Sequence, residues 1–119
     1  MKIKQVVEAL PSLQKLAGQD LSLKKLYKIS KVLGNLEKEI AFFNEQKIRL
    51  FAKHCDVVGN QYVPRKESEA QLAQELDELL NMDIECEIIE VAISCNEDVK
   101  LSYNDLVALD GIIRIEGDD

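Results

Sequence analysis

Tryptophan is absent from the 119 residues and aromatics make up only 5% of them, so any core must be largely aliphatic and surfaces for base stacking are scarce. Histidine occurs once, at His54, which leaves no second imidazole for a zinc site. The three cysteines, Cys55, Cys86 and Cys95, form no C-x-x-C pair, and their odd number suits reduced thiols better than a disulfide framework. Gly-rich phosphate loops, H-E-x-x-H and G-x-S-x-G are all missing, which removes the commonest signatures of nucleotide, zinc-protease and serine-hydrolase chemistry. No apolar run approaches the roughly 18 residues of a membrane span. At the start, Gln5, Glu8 and Pro11 interrupt any stretch that could act as a signal peptide. These absences imply a soluble, cytoplasmic chain with no cofactor and no membrane partner.

What is present is an ordinary globular balance, 46% hydrophobic and 31% charged, in a length that suits one domain over 1–119. The net charge of −7 conceals a division. Residues 1–54 hold eleven Lys and Arg against five Asp and Glu, a balance of +6, whereas residues 55–119 hold four against seventeen, a balance of −13. Such asymmetry points to charged partners or to self-association.

Apolar periodicity predicts an α+β fold dominated by helix. Val6, Leu10, Leu13 and Ala17 mark a first helix over about 5–17, in which Pro11 is either the first helical residue or a kink. Gly18 reads as its stop, and Asp20 or Ser22 as the next N-cap. Leu26, Ile29, Leu33, Leu36, Ile40 and Phe43 then form a heptad seam that makes a long helix to about Lys53, giving an N-terminal helical hairpin. Lys47 and His54 weaken the seam at its far end, where Ile48 and Phe51 offer a neighbouring stripe. A straight helix over 21–53 would be about 50 Å long. A compact chain of this size has a diameter of only about 35 Å, so part of the helix should project or the molecule be elongated.

Beyond Cys55 a short β-hairpin is expected, with Val57 and Val58 on one side of Gly59-Asn60 and Tyr62 and Val63 on the other, closed by Pro64. "ESEAQLAQELDELLN" is a second amphipathic helix bearing Leu72, Leu76 and Leu79 on one face, with Ser68 and Gln71 in capping-box spacing. "DIECEIIEVAI" predicts a strand in two phases, Ile84, Cys86 and Ile88 and then Ile89, Val91 and Ile93, reconciled by a bulge near Ile88. Ser102 and Asp105 open a short helix over Leu106 and Leu109, after which Ile112 to Ile115 are either more helix or a last strand. The acidic run that ends the chain reads as a frayed tail.

Candidate functional residues are charged. Lys24, Lys25, Lys28 and Lys31 crowd the first turns of the long helix, and Lys24, Lys28 and Lys31 share one outward ridge. Both their mutual repulsion and the helix macrodipole disfavour them there by a few tenths of a kcal/mol. The ridge is either a solvated face, a contact for protein or a second copy, or a nucleic-acid contact. A pI near 4.8 makes nucleic acid a poor partner. Asp83, Glu85 and Glu87 lie on one strand face, as a hard-cation or acid–base site or, more simply, a solvated surface that discourages edge pairing. His54 and Cys55, as helical neighbours, point about 100° apart and do not form an aligned nucleophile–base pair.

Three stretches, "LPSLQKLAGQDLSLKKLYKISKVLGNLEKEI", "ELDELLNMDIECEII" and "LSYNDLVALDGII", together resemble a small family of uncharacterised proteins encoded by tailed phages and prophages, mainly of Gram-positive bacteria. They cover about half the chain and consist of helix seams and caps rather than catalytic motifs. Val32 stands where the family often has Asn, and His54-Cys55 where Tyr-Gly is more usual. The resemblance implies a phage origin and supplies no functional residues. The expectation is a non-enzymatic accessory or assembly protein that works by protein contacts as an oligomer, in the host cytoplasm or in the virion. Its basic ridge would face acidic surface of another copy or of a phage structural protein. The alternative is a small acidic inhibitor that occupies a basic groove on a host nuclease or DNA-binding protein.

Overall fold

The structure is a computed structural model that describes residues 1–85, 88–94 and 97–116. It is α+β and helix-dominated. Helices α1 (Ile3–Ala17) and α2 (Leu23–His54) form the N-terminal hairpin. Strands β1 (Cys55–Val58) and β2 (Gln61–Pro64), a 3-10 turn (Lys66–Ser68) and α3 (Glu69–Leu80) follow, and the chain continues through β3 (Val91–Ser94), α4 (Tyr103–Ala108) and β4 (Ile113–Glu116). The molecule measures 57 × 28 × 24 Å, elongated as the length of α2 requires.

Helix α1 begins earlier than its periodicity suggests because Gln5 Oε1 accepts a bond from the Lys2 N–H at 2.8 Å and caps the first turn. Pro11 therefore lies well inside the helix, on its exposed side. The buried face is Ile3, Val6, Ala9, Leu13 and Leu16, while Leu10 and Ala17 flank it half-buried, so the stripe is rotated from the expected one. Gly18 ends the helix in right-handed geometry, φ −85°, and not in the left-handed conformation usual for a glycine stop. Of the two candidate caps for α2, Ser22 is the one used; its hydroxyl accepts from the Lys25 N–H at 3.4 Å.

The seam of α2 is followed to its end. Ile29, Leu36 and Phe43 are buried, Leu26, Leu33 and Ile40 flank them half-buried, and Val32 joins the core. Farther on the half-buried Lys47 sets its ammonium over the Phe43 ring, 5.4 Å from the centroid, and His54 is buried, whereas Ile48 is 54% exposed. Of the neighbouring stripe, Phe51 is half-buried and Ile48 exposed, so the original seam stays the buried face, with α3 covering it at Phe43 and His54. One apolar cluster joins α1 and the first half of α2 to β3, Leu109, Ile112 and Ile113, and a second joins Ile3, Phe43 and Leu79.

The β1–β2 hairpin pairs Val57 with Tyr62 and Val58 with Gln61, and turns on Gly59, whose φ of +64° strains any side chain larger than glycine. Asn60 keeps a negative φ. The Ser68–Gln71 capping box does not form: the 3-10 turn winds straight into α3, leaving Ser68 at φ −106°, ψ −7° with no side-chain cap bond. The Ser102–Asp105 box does form, with reciprocal bonds of 3.1 and 3.0 Å. Gly111, at φ +83°, then breaks the chain out of α4 and the final apolar run becomes a strand. β4 runs parallel to β3, with Val91 opposite Ile113 and Ile93 opposite Ile115, and α4 lies in the crossover.

The predicted strand over "DIECEIIEVAI" is confined, among the described residues, to Val91–Ser94. Asp83 makes only an isolated bridge to Lys2, and Ile89 is 73% exposed instead of sharing the buried face of Val91 and Ile93. Cys86 and Glu87, on which the first phase and the bulge depend, lie outside the described residues.

Leu36 is completely buried in the larger cluster, so Leu36→Ala should cost about 2–5 kcal/mol in urea unfolding. Ile48→Ala, on the uncovered stripe, should stay within about 0.5 kcal/mol. Equal effects would mean that the seam is not the face that α1 and α3 cover.

Candidate interaction surfaces

The four lysines at the start of α2 separate into two roles. Lys25 is half-buried and its Nζ lies 2.6 Å from Glu97 Oε1, while Glu97 Oε2 accepts from the Ser94 N–H at 3.0 Å. The Lys25 bond holds the Glu97 carboxyl below its ordinary value against the opposing effect of burial. Lys25 therefore fastens the end of β3 to α2 and belongs to the fold. Lys24, Lys28 and Lys31 point outward as expected, and among the described residues none of them forms an ion pair. Lys31 instead sets its ammonium 5.3 Å from the centroid of the Tyr27 ring.

Beside that ridge runs a cleft of about 270 Å³ between α2 and the segment leading into β3. Val32, Val91, Ile89 and the Tyr27 ring give it an apolar lining, with Lys28 and Lys31 at its rim and Glu90 as its one carboxylate among the described residues. Periodicity alone could not reveal it, because its two walls come from positions about sixty residues apart.

The acidic candidates do not converge. Asp83 is 3.9 Å from the Lys2 ammonium and largely solvated, Glu85 is exposed, and Glu87 lies outside the described residues. Among the described residues no group of three or more His, Cys, Asp or Glu is arranged to hold a metal ion.

The sequence reading missed two polar nodes. His54, only 3% exposed at the end of α2, has Nε2 3.1 Å from Glu75 Oε2 of α3; that nitrogen must carry a proton to bond a carboxylate. Lys53 Nζ at 3.5 Å and Gln71 Nε2 at 3.0 Å share Glu75 Oε1. The His54 bond is the main reason that the Glu75 carboxyl sits below its ordinary value of 4.5. The signal was present, since His54 falls on the heptad register, yet a seam histidine has no visible partner until α3 is placed. Asp105 is the second node: besides capping α4 it accepts from Lys15 Nζ at 2.7 Å and Ser12 Oγ at 2.8 Å on α1. Its carboxyl is held far below its ordinary value, first by Lys15 and then by the Ser102 N–H.

At the distal end the β1–β2 ribbon leaves Val57 68% and Val58 62% exposed, with Tyr62 and Val63 also open to solvent. Only Tyr62 finds a ring partner, Phe51 of α2, at a centroid distance of 5.4 Å. The Arg65 N–H donates to His54 O, which sets the phase of the ladder. With that phase Asp56/Val63 and Val58/Gln61 are the hydrogen-bonded pairs, so the N–H and C=O of Val57 point away from β2 along an edge that no strand of the described residues covers. Pro64 falls at a position where no ladder donor is needed, which is why it is tolerated in β2.

No family model matches the chain, and no curated protein or solved structure does either.

Depressed carboxyl values in the folded state mean that the unfolded chain binds more protons on acidification. The stabilisation from Glu75, Glu97 and Asp105 should be complete above about pH 4.5 and be lost as pH falls through their folded-state values. Thermal melts across this range should show Asp105→Asn lowering Tm at pH 7 and flattening the acid decline. An unchanged acid slope in that variant would detach Asp105 from the effect.

Proposed function

We propose that the chain is a non-enzymatic accessory or assembly protein that acts through protein–protein contacts and self-associates through the free β1 edge of its projecting hairpin. In keeping with the resemblance of its helical stretches, we propose that it serves a tailed phage or prophage, in the host cytoplasm or in the virion. The observation that carries the reading is the exposed, apolar β1 edge, unpaired among the described residues. A two-stranded hairpin is marginal on its own in water and gains from added strands. β1 lacks the lysines, prolines and bulges that normally blunt such an edge.

A second copy is the natural occupant. Two β1 edges related by a two-fold axis at Val57 would let each Val57 N–H meet the C=O of the other, an isologous contact in which Val57 packs on its own copy and Val58 lies opposite the other copy's Asp56. Asp56 is offset by Arg65 at 3.4 Å, so like charge does not oppose the pairing. The rival reading, an acidic inhibitor of a basic host protein, draws on carboxylates of the second half. Three of these, Glu75, Glu97 and Asp105, already serve lysines of the first half, which weakens that reading.

Light scattering after gel filtration should give a mass above that of one chain and rising with concentration, and Val57→Lys should return it to a monomer with an unchanged circular dichroism spectrum. A wild-type monomer at every salt and protein concentration would refute self-association. Mass spectrometry of washed virions beside infected-cell lysate would separate a structural from a regulatory role.

A further inference from the structure

We infer that the cleft between Tyr27, Lys28, Lys31 and Val32 of α2 and Ile89 and Val91 is the docking site for an acidic peptide segment of another protein, one or two large apolar side chains flanked by carboxylates. The contact is separate from the hairpin edge. The two sites lie about 25 residues apart along α2, roughly 38 Å.

The volume, about 270 Å³, falls below the usual range for a cofactor or drug-sized ligand but suits one or two side chains. Its lining supplies the anchor pocket: Ile89 and Tyr27 are exposed apolar groups that cover the cleft wall without being covered themselves. Its rim supplies the charge. Lys28 and Lys31, with Lys24 one turn earlier, carry positive charge that no ion pair offsets among the described residues, and Glu90 opposes them with a single carboxylate. Lys24, in the first turn of α2, also meets the positive end of the helix macrodipole. A carboxylate delivered by a partner would relieve both the lysine–lysine repulsion and the unfavourable dipole, while its neighbouring side chain fills the pocket.

The chain's own Met82–Asp83 segment is a poor occupant. Met82 and Asp83 join an exposed apolar side chain to a carboxylate, but the Ile3 N–H bonds Met82 O at 2.9 Å and the Ile84 N–H bonds Met1 O at 2.9 Å. That segment is tied into the fold and cannot extend into a cleft on a neighbouring copy.

The test uses the full chain and a fluorescein-labelled peptide in which Leu-Phe is flanked on both sides by Asp and Glu. Two controls accompany it, one with the apolar pair replaced by Gly-Ser and one with the carboxylates replaced by amides. Fluorescence anisotropy should show binding of the first peptide that weakens with salt, is about tenfold weaker for Lys28→Glu/Lys31→Glu, and is lost with either control. Val57→Lys should bind the peptide as the wild type does, so loss of self-association and loss of docking are read apart. Absence of binding, or binding that the double charge reversal leaves unchanged, would overturn the proposal. If the double reversal instead dissociated the oligomer, the occupant would be a second copy and the inference would be wrong.

Discussion

Coverage of one apolar stripe governs the molecule. α2 is 32 residues long, about 48 Å, and its seam is continuous, whereas α1 has 15 residues and can bury less than half of it. α3 has to return to cover the remainder, and the β1–β2 hairpin is the connection that reverses the chain to bring it there. Among the described residues that follow α3, β3, Leu109, Ile112 and Ile113 pack back on the proximal half and close the core over Ile29, Val32 and Leu36. The elongated shape follows from this division of labour, and so does the exposure of the hairpin, which turns the chain at the far end of α2.

The opposed charges of the two halves are partly consumed inside the fold. Lys15–Asp105 ties α1 to α4, Lys25–Glu97 ties α2 to the end of β3, and Lys53 with His54 ties α2 to Glu75 on α3. Each joins a basic residue of the first half to a carboxylate of the second. Such partly exposed pairs contribute little energy individually, but together they fix where each later element sits on the hairpin. What they leave over is informative: the ridge of Lys24, Lys28 and Lys31 keeps its charge beside an apolar cleft.

Much of this was legible in the sequence because it is local. The seam of α2, the Ser22 cap, the reciprocal Ser102–Asp105 box and the Gly59 turn each depend on residues within a few positions of one another. The α1 face differs from its periodicity because Leu10 and Leu16 carry equal apolar signal and the fully buried Ala9 carries little, so the local pattern does not choose between two adjacent stripes. The parallel pairing of β3 with β4 was hidden because an unbroken run such as Ile112-Ile113 fits helix and buried strand equally well, and its partner lies about twenty residues away. Of the candidate site residues, the outward lysines were readable from helical geometry, whereas the Glu97 partner of Lys25 and the cleft walls required the tertiary fold.

The resulting molecule has two ends on one helix: a proximal end where a basic rim borders an apolar cleft, and a distal end where a hairpin exposes valines and an unpaired edge. Hydrogen–deuterium exchange at low and high protein concentration tests this account most directly. Amides over 29–43 should be strongly protected at both concentrations, while the Val57 amide should exchange rapidly when dilute and become protected when concentrated. Exchange at Val57 that does not change with concentration would contradict the claim that this end is an interface.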